Sequence, residues 1–234
     1  MLEPQCKVEL LYHSPLWIGA NGARTCWSSG DKSDTYTETY DSVIGIESHT
    51  VCGPKDAELL DRVGNKFKHA SILEHLVYTF YITDISRALL QELSRHRHAS
   101  PSVKSSRYTL KELKEELPFA LNGYHTAADK KRASTYLVFT GNDLVDTMSI
   151  RALENLRQVI QAGISNDIAK YCLPESYKTE EQLTINARSL QNLLFLRSDK
   201  GALWEIRQLA HALFDALPED HKYLFIDHIK EEQQ

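Results

Sequence analysis

The stretch LVYTFYITDISRALLQELSRHR, residues 76–97, changes its period half-way along. LVYTFYIT (76–83) is rich in β-branched and aromatic residues, which predicts a strand. From Asp84, a capping residue type, Ile85, Leu89, Leu90 and Leu93 recur at helical spacing and predict a helix over 84–97. A strand that feeds directly into an amphipathic helix makes this an α+β chain. The helix then runs into RHRHASPSVKSSRY (95–108), where Pro101 forbids its continuation and predicts a loop.

Further along, the same pairing recurs. EQLTIN (181–186) reads as a strand that enters the helix ARSLQNLLFLRS (187–198). CKVELLYH (6–13) suits another strand, and a short helix follows Pro15. DAELLDRVGNKFKHA (56–70) opens on Asp56 as cap, with Leu59, Leu60, Val63 and Phe67 at helical spacing. Residues 143–162 predict a long helix with Leu144, Met148, Leu153, Leu156, Val159 and Ile160 inward. NDIAKYCLP (166–174) predicts a short helix stopped by Pro174, and 200–217 an amphipathic one. STYLVFT (134–140) suits strand or helix equally. The polar segment 28–54 has no sustained period and reads as a long mobile loop. No repeat or linker forces a division, so 1–234 reads as a single helix-rich α+β domain.

The chain has 234 residues, enough to bury a core without disulfide or metal staples. Its net charge of −5 argues against a general nucleic-acid binder, so any anion site must be local. Cys6, Cys26, Cys52 and Cys172 form no C-x-x-C pair, which leaves a zinc site unsupported and suggests reduced thiols. The N-terminus lacks a signal pattern, and no apolar run reaches the ~18–20 residues needed to span a bilayer. Those features predict a cytoplasmic protein.

Against that acidic background, residues 95–108 hold four full cations (Arg95, Arg97, Lys104, Arg107) and four serines. Guanidinium forks match phosphate and carboxylate oxygens, and serine hydroxyls approach closely. The alternative, a solvated basic helix end complementing the macrodipole, accounts for Arg95 but not for the serines. NARSLQNLLFLR (186–197) is the second constellation. On a helix Asn186, Leu190, Leu193 and Arg197 share a face, while Arg188 and Asn192 are i,i+4 neighbours. A guanidinium on an apolar face needs a partner, either a structural one or a ligand. KHASILEH (68–75) holds His69, Ser71, Glu74 and His75, but His-x5-His is no standard zinc spacing. Lys170 stands alone as a cation. Neither a Gly-rich phosphate loop nor a G-x-S-x-G elbow is present.

RHR (95–97) followed after seven residues by Ser105, and then Ser106-Arg107-Tyr108, resembles the signature of flavin-dependent thymidylate synthases. NARSLQNLLFLR resembles that family's second motif, in the right order and at the right separation. The likeness extends from about residue 56 to the C-terminus, with a weaker echo in RTCW (24–27). It implies a homotetramer with a central antiparallel sheet and FAD at subunit interfaces. It implies methylation of dUMP to dTMP with 5,10-methylenetetrahydrofolate as carbon donor and NADPH as reductant, and neither a metal nor a nucleic-acid partner. A non-catalytic nucleotide- or RNA-binding protein using the basic loop is the rival reading.

By the same resemblance, Ser71, Arg95, His96, Arg97, Val103, Asn186, Arg188 and Asn192 hold the flavin. Glu92, Arg95, Val103, Lys104, Ser105, Ser106, Arg107, Lys170 and Arg197 surround dUMP, with His69 near the folate or nicotinamide side. Arg197 corresponds to the arginine that favours ionisation of uracil N3. Ser105 is the only hydroxyl nucleophile in the motif, and it has no evident base beside it, which favours a positioning role. The sequence departs from the common pattern at Ser102, at Val103, where only the backbone could serve, and at Lys170, a point charge in place of a fork.

Overall fold

The computed structural model describes residues 6–42, 45–121 and 124–230. In chain order the first elements are β1 (Lys7–His13), α1 (Leu16–Cys26), β2 (Tyr36–Ser42), β3 (Gly45–Val51) and α2 (Pro54–Asp61). A single π turn, Arg62–Lys66, and a 3-10 turn, Ala70–His75, lead into β4 (Val77–Ser86), α3 (Arg87–Leu93) and β5 (Ala99–Val103). Next come α4 (Ser106–Thr109), α5 (Ala127–Ala133), α6 (Asp143–Gln161) and α7 (Asn166–Ala169). The chain closes with β6 (Lys178–Asn186), α8 (Ala187–Arg197) and α9 (Trp204–Asp215).

The main sheet has four strands in the order β1-β4-β6-β5. Along β4 and β6 the Leu76 carbonyl accepts from Ala187 N–H, Thr79 meets Thr184 at 3.0 Å, and Asp84 meets Lys178 at 2.9 Å. As one residue number rises the other falls, so the two strands are antiparallel. Pro101 sits in β5, an edge strand, where its missing N–H leaves no gap in an inner ladder.

The chain divides into two compact units. The first comprises 1–7, 82–95 and 101–182, and the second 8–81, 96–100 and 183–234. In the first unit α6 supplies the framework. Ile150, Leu153, Leu156 and Ile160 are buried with Leu110, Leu113, Phe119, Leu137 and Tyr177. In the second unit α8 packs on α9 and on the 70–75 turn. Leu190, Leu193 and Leu194 of α8 and Ile206, Leu209 and Leu213 of α9 are fully buried. Each such side chain is worth about 1.5–3 kcal/mol of burial, and truncating Leu193 to Ala would cost about 2–5 kcal/mol.

Several expectations need correction. Asp84 does not cap α3, because β4 continues to Ser86, and Ser86 Oγ accepts from Leu89 N at 3.0 Å. Burial of Asp84 opposes ionisation, but Lys178 and Lys7 outweigh it and hold the carboxyl below its ordinary range. Asp56 does not cap α2 either. It lies at the third helical position after Gly53, fully buried, and binds Arg24, Ser33 and Thr35. The capping is done from a distance by Asp34, which accepts from Lys55 N and Asp56 N. A side chain at Gly53 would collide with Asp34, so glycine is required there.

Segment 28–54 contains the antiparallel hairpin β2–β3, with Glu38 opposite His49. Its polar composition shows none of the alternation that a buried face imposes. Residues 99–103, expected as loop, form β5. STYLVFT is neither strand nor helix: 134–136 form a turn, Leu137 bridges to Tyr177, and 138–140 are irregular. Leu144 and Met148 of α6, expected inward, are 67% and 50% exposed. The buried stripe of α6 begins only at Ile150, apart from Asp146, and leaves the first two turns uncovered.

Candidate active site

The expected site residues fall into two groups, one in each unit. The second unit carries His69, Ser71, His96, Arg97, Asn186, Arg188, Asn192 and Arg197. Here the strand β6 stops where α8 begins, and Asn186 is the hinge. Its Oδ1 accepts from Ser189 N at 2.9 Å, an N-cap that commits the amide oxygen and leaves the amide N–H groups as donors. Burial of Leu190, Leu193 and Leu194 fixes the rotation of α8. That rotation puts Arg188 and Asn192 on the exposed side and Arg197, in the last turn, half-buried.

Arg197 Nε–H donates to His96 Nε2 at 2.9 Å. This bond ties the RHR segment to the end of α8 across 101 positions of sequence. Arg188 meets Glu74 at 2.7 Å, with both side chains about half exposed. Sequence reasoning singled out Glu74 in its cluster but gave it no role. An acid three residues beyond Ser71 in a cationic neighbourhood is the signal that was available. His69 and Ser71 are exposed at the start of the 70–75 turn.

The first unit carries Glu92, Arg95, Val103, Lys104, Ser105, Ser106, Arg107 and Lys170. Arg95 lies just past α3 and reaches Glu92 at 3.5 Å, a loose pair on an exposed helix end. Val103 ends β5, and Lys104 N–H donates to the Glu180 carbonyl at 2.9 Å, anchoring the strand's exit. Ser105 precedes α4, and its side chain caps no helix N–H. Arg107 pairs with Asp167 at 2.5 Å, and Asn166 holds the Arg107 carbonyl at 2.8 Å. These two bonds seat the loop on α7. Lys170 follows α7 directly and is half-buried.

The donor set suits anionic, oxygen-rich and heterocyclic ligands. Guanidinium groups, amide donors and hydroxyls are concentrated within residues 95–107 and, separately, within 186–197, the kinds of donor that a pyrophosphate or a nucleotide takes. Among the described residues no group of three or more His, Cys, Asp or Glu is placed to hold a metal ion.

The family model for thymidylate synthase complementing protein matches residues 10–221. The chain belongs to the flavin-dependent thymidylate synthases. It is 59% identical over 220 residues to the flavin-dependent thymidylate synthase of Campylobacter jejuni strain RM1221, covering 94% of this chain and 95% of that one. It is 60% identical to that of Wolinella succinogenes, covering 93% and 96%. Among solved structures it is similar to Helicobacter pylori ThyX with FAD and dUMP. There the TM-score is 0.85 and identity 51%, over 97% of this chain and all of that one.

Proposed function

We propose that residues 95–107 and 186–197 form one catalytic site in which dUMP is methylated to dTMP. The family membership carries the reaction: reductive methylation with 5,10-methylenetetrahydrofolate as carbon donor, NADPH as reductant and FAD as cofactor. The residue roles rest on the site's own chemistry. The observation that supports them most is the Arg197–His96 bond, since it joins the two motifs.

Arg188, Asn192, Asn186, His96, Arg97, Ser71 and the Val103 backbone are the groups that would hold FAD, and Arg95 adds a further fork. Bound FAD supplies the hydride that completes the methyl group. The chain supplies orientation and field. Lys170, Arg107, Ser105 and Ser106 suit the dUMP phosphate and sugar, with Glu92 and Lys104 beside them and His69 on the folate side. Arg197 is a fixed cation that favours the uracil anion, making C5 more nucleophilic without a covalent adduct. Ser105 has no base beside it in the sequence to activate its hydroxyl, so it positions dUMP, and Ser105→Ala should retain reduced activity.

The whole of 1–234 is proposed to act as one functional domain, which the single family match over 10–221 supports. A homotetramer with sites completed at subunit interfaces accounts for two features. The motif side chains are largely exposed, and Leu144, Met148, Ile168 and Tyr171 leave apolar surface uncovered. We place the protein in the cytoplasm; no helix among the described residues is long and apolar enough to cross a membrane.

Anaerobic turnover of dUMP with methylenetetrahydrofolate and NADPH, with and without FAD, tests the reading. dTMP should form only when FAD is present. A colourless protein that ignores FAD and binds oligonucleotides would overturn it in favour of a nucleic-acid role.

A further inference from the structure

We propose that His96 is a positioning residue for Arg197, acting as a neutral acceptor that aims the guanidinium at the pyrimidine. This rests on the reading of Arg197 as the cation that faces uracil. The warrant is the direction of one hydrogen bond. An arginine Nε carries a hydrogen at all accessible pH and can only donate. Its partner at 2.9 Å is His96 Nε2, which must therefore present a lone pair. The His96 ring proton then resides on Nδ1, and the ring is uncharged.

The bond has mechanical consequences. Arg197 ends α8, where one more residue, Ser198, is the C-cap, so its backbone is fixed by helix packing but its long side chain is not. Four torsions separate the Cα from the guanidinium plane. A bond at Nε constrains that plane, and with it the directions of Nη1 and Nη2. Those are the donors that form a fork toward a planar ligand. Holding the charge in place before the substrate arrives avoids reorganisation as the anion develops. Both side chains are half-buried, which limits competition from water. His96 also lies beside Arg95 and Arg97, so a second cation in the ring would add to an already positive segment. The neutral tautomer is the form that this crowding and the Nε donor both select.

Two amide replacements separate the ring positions. Gln places its terminal amide near Nε2, where its oxygen can accept from Arg197, whereas Asn reaches only the Nδ1 position. H96Q, H96N and H96A are compared at saturating FAD, with FAD affinity, dUMP affinity and the thermal midpoint measured for each. R197A is run alongside. H96N and H96A should lose about 100-fold in kcat, the scale of a misplaced catalytic group, with a smaller change in KM for dUMP. H96Q should recover at least tenfold over H96N.

Equal kcat in H96Q and H96N overturns the proposal, whether both are high or both are low, because the acceptor at Nε2 would then be irrelevant. A loss confined to FAD affinity also overturns it, since His96 would then serve the flavin alone. If R197A turns over at close to the parental rate, the underlying assignment of Arg197 fails. If R197A is inactive while H96N is unaffected, only the positioning role fails.

Discussion

The two motif-bearing regions are built differently. In the second unit the arginines ride on α8, whose rotation is set by three buried leucines and whose start is capped by Asn186. In the first unit the cations and serines ride on the end of α3, an edge strand and one turn of helix, seated by Arg107–Asp167 and by Asn166. Helix-borne groups are aimed by the core. Loop-borne groups are aimed by surface bonds that water and salt can weaken. The contrast predicts a rigid half that polarises the base and a compliant half that admits and grips the nucleotide.

The largest test of this contrast lies in the framework of the first unit, because a compliant loop needs a firm base. Arg157 and Glu154 form a buried two-point pair, at 2.6 and 2.8 Å, and Glu154 also accepts from Phe119 N and Gln158. Removing one partner strands a buried charge. Arg157→Ala should cost about 3–5 kcal/mol in a urea titration. Replacing both residues by apolar ones of similar volume should cost far less. A loss below 1 kcal/mol in the single variant would show that this unit does not depend on the pair.

Next in size is Arg197→Ala. Losing a fixed cation beside a developing anion should lower kcat by about 10²–10³, or 2.7–4 kcal/mol, while flavin absorbance survives through Arg95, Arg188 and Asn192. Arg107→Ala, on the compliant side, should chiefly raise KM for dUMP. If Arg107→Ala lowered kcat as much as Arg197→Ala does, the division into a polarising and a gripping half would not stand.

What could be read from the sequence follows the same divide. The strand–helix pairs expected at 76–97 and 181–198 were legible because buried leucines and β-branched residues impose a clear period, although α3 stops at Leu93 and β6 starts at Lys178. The places of Arg188, Asn192 and Arg197 on α8 were legible with them, since spacing fixes a face. Caps were misread at Asp56 and Asp84. In both cases a nearby cation, Arg24 or Lys178, claims the carboxylate, and one-dimensional spacing cannot reveal a partner 32 or 94 residues away. The hairpin at 36–51 went unread because its described side chains, at 36–39 and 47–51, are exposed or half-exposed and impose no alternation. Leu144 and Met148 were assigned inward because helical spacing marks an apolar stripe without saying what covers it.

The units should also respond oppositely to pH, through one buried group in each. His221, fully buried in the second unit and bonded to Tyr78 at 2.8 Å, is pushed down to about 4 by burial, while Asp220 opposes the shift and His13 adds to it. Below its ordinary 6.5 the unfolded chain takes up the proton first, so stability falls as pH drops from 6.5 toward 4. Glu181, buried in the first unit with Oε2 unpartnered, is pushed up to about 7 from 4.5 by burial. There the folded chain holds the proton longer, so stability falls as pH rises from 4.5 to 7. Each effect has a ceiling of about 3 kcal/mol. Thermal midpoints across pH 4–8 should flatten on the acid side in His221→Gln, and rise above pH 7 in Glu181→Gln. Unchanged profiles in both variants would remove these groups from the account.

The smallest expected effect concerns the surface bond made by Arg188 of α8. Glu74 and Arg188 meet at 2.7 Å with 48% and 56% of their side chains exposed. An exposed pair contributes about 0–1 kcal/mol to stability, so Glu74→Gln should move the thermal midpoint by no more than about 4 °C. Its effect on ligand binding is of another kind. While the carboxylate sits on Arg188 it competes with any phosphate for the same fork, and its charge repels an anionic cofactor. Removing it should tighten FAD binding about two- to fivefold at low ionic strength, and the gain should vanish near 0.5 M salt, where the screening length falls to a few ångströms. A weakened affinity in Glu74→Gln would mean instead that the pair holds Arg188 in the productive orientation. The rigid half would then extend to its surface bonds as well as to its core, and the contrast between the two regions would narrow to Arg107 and its neighbours.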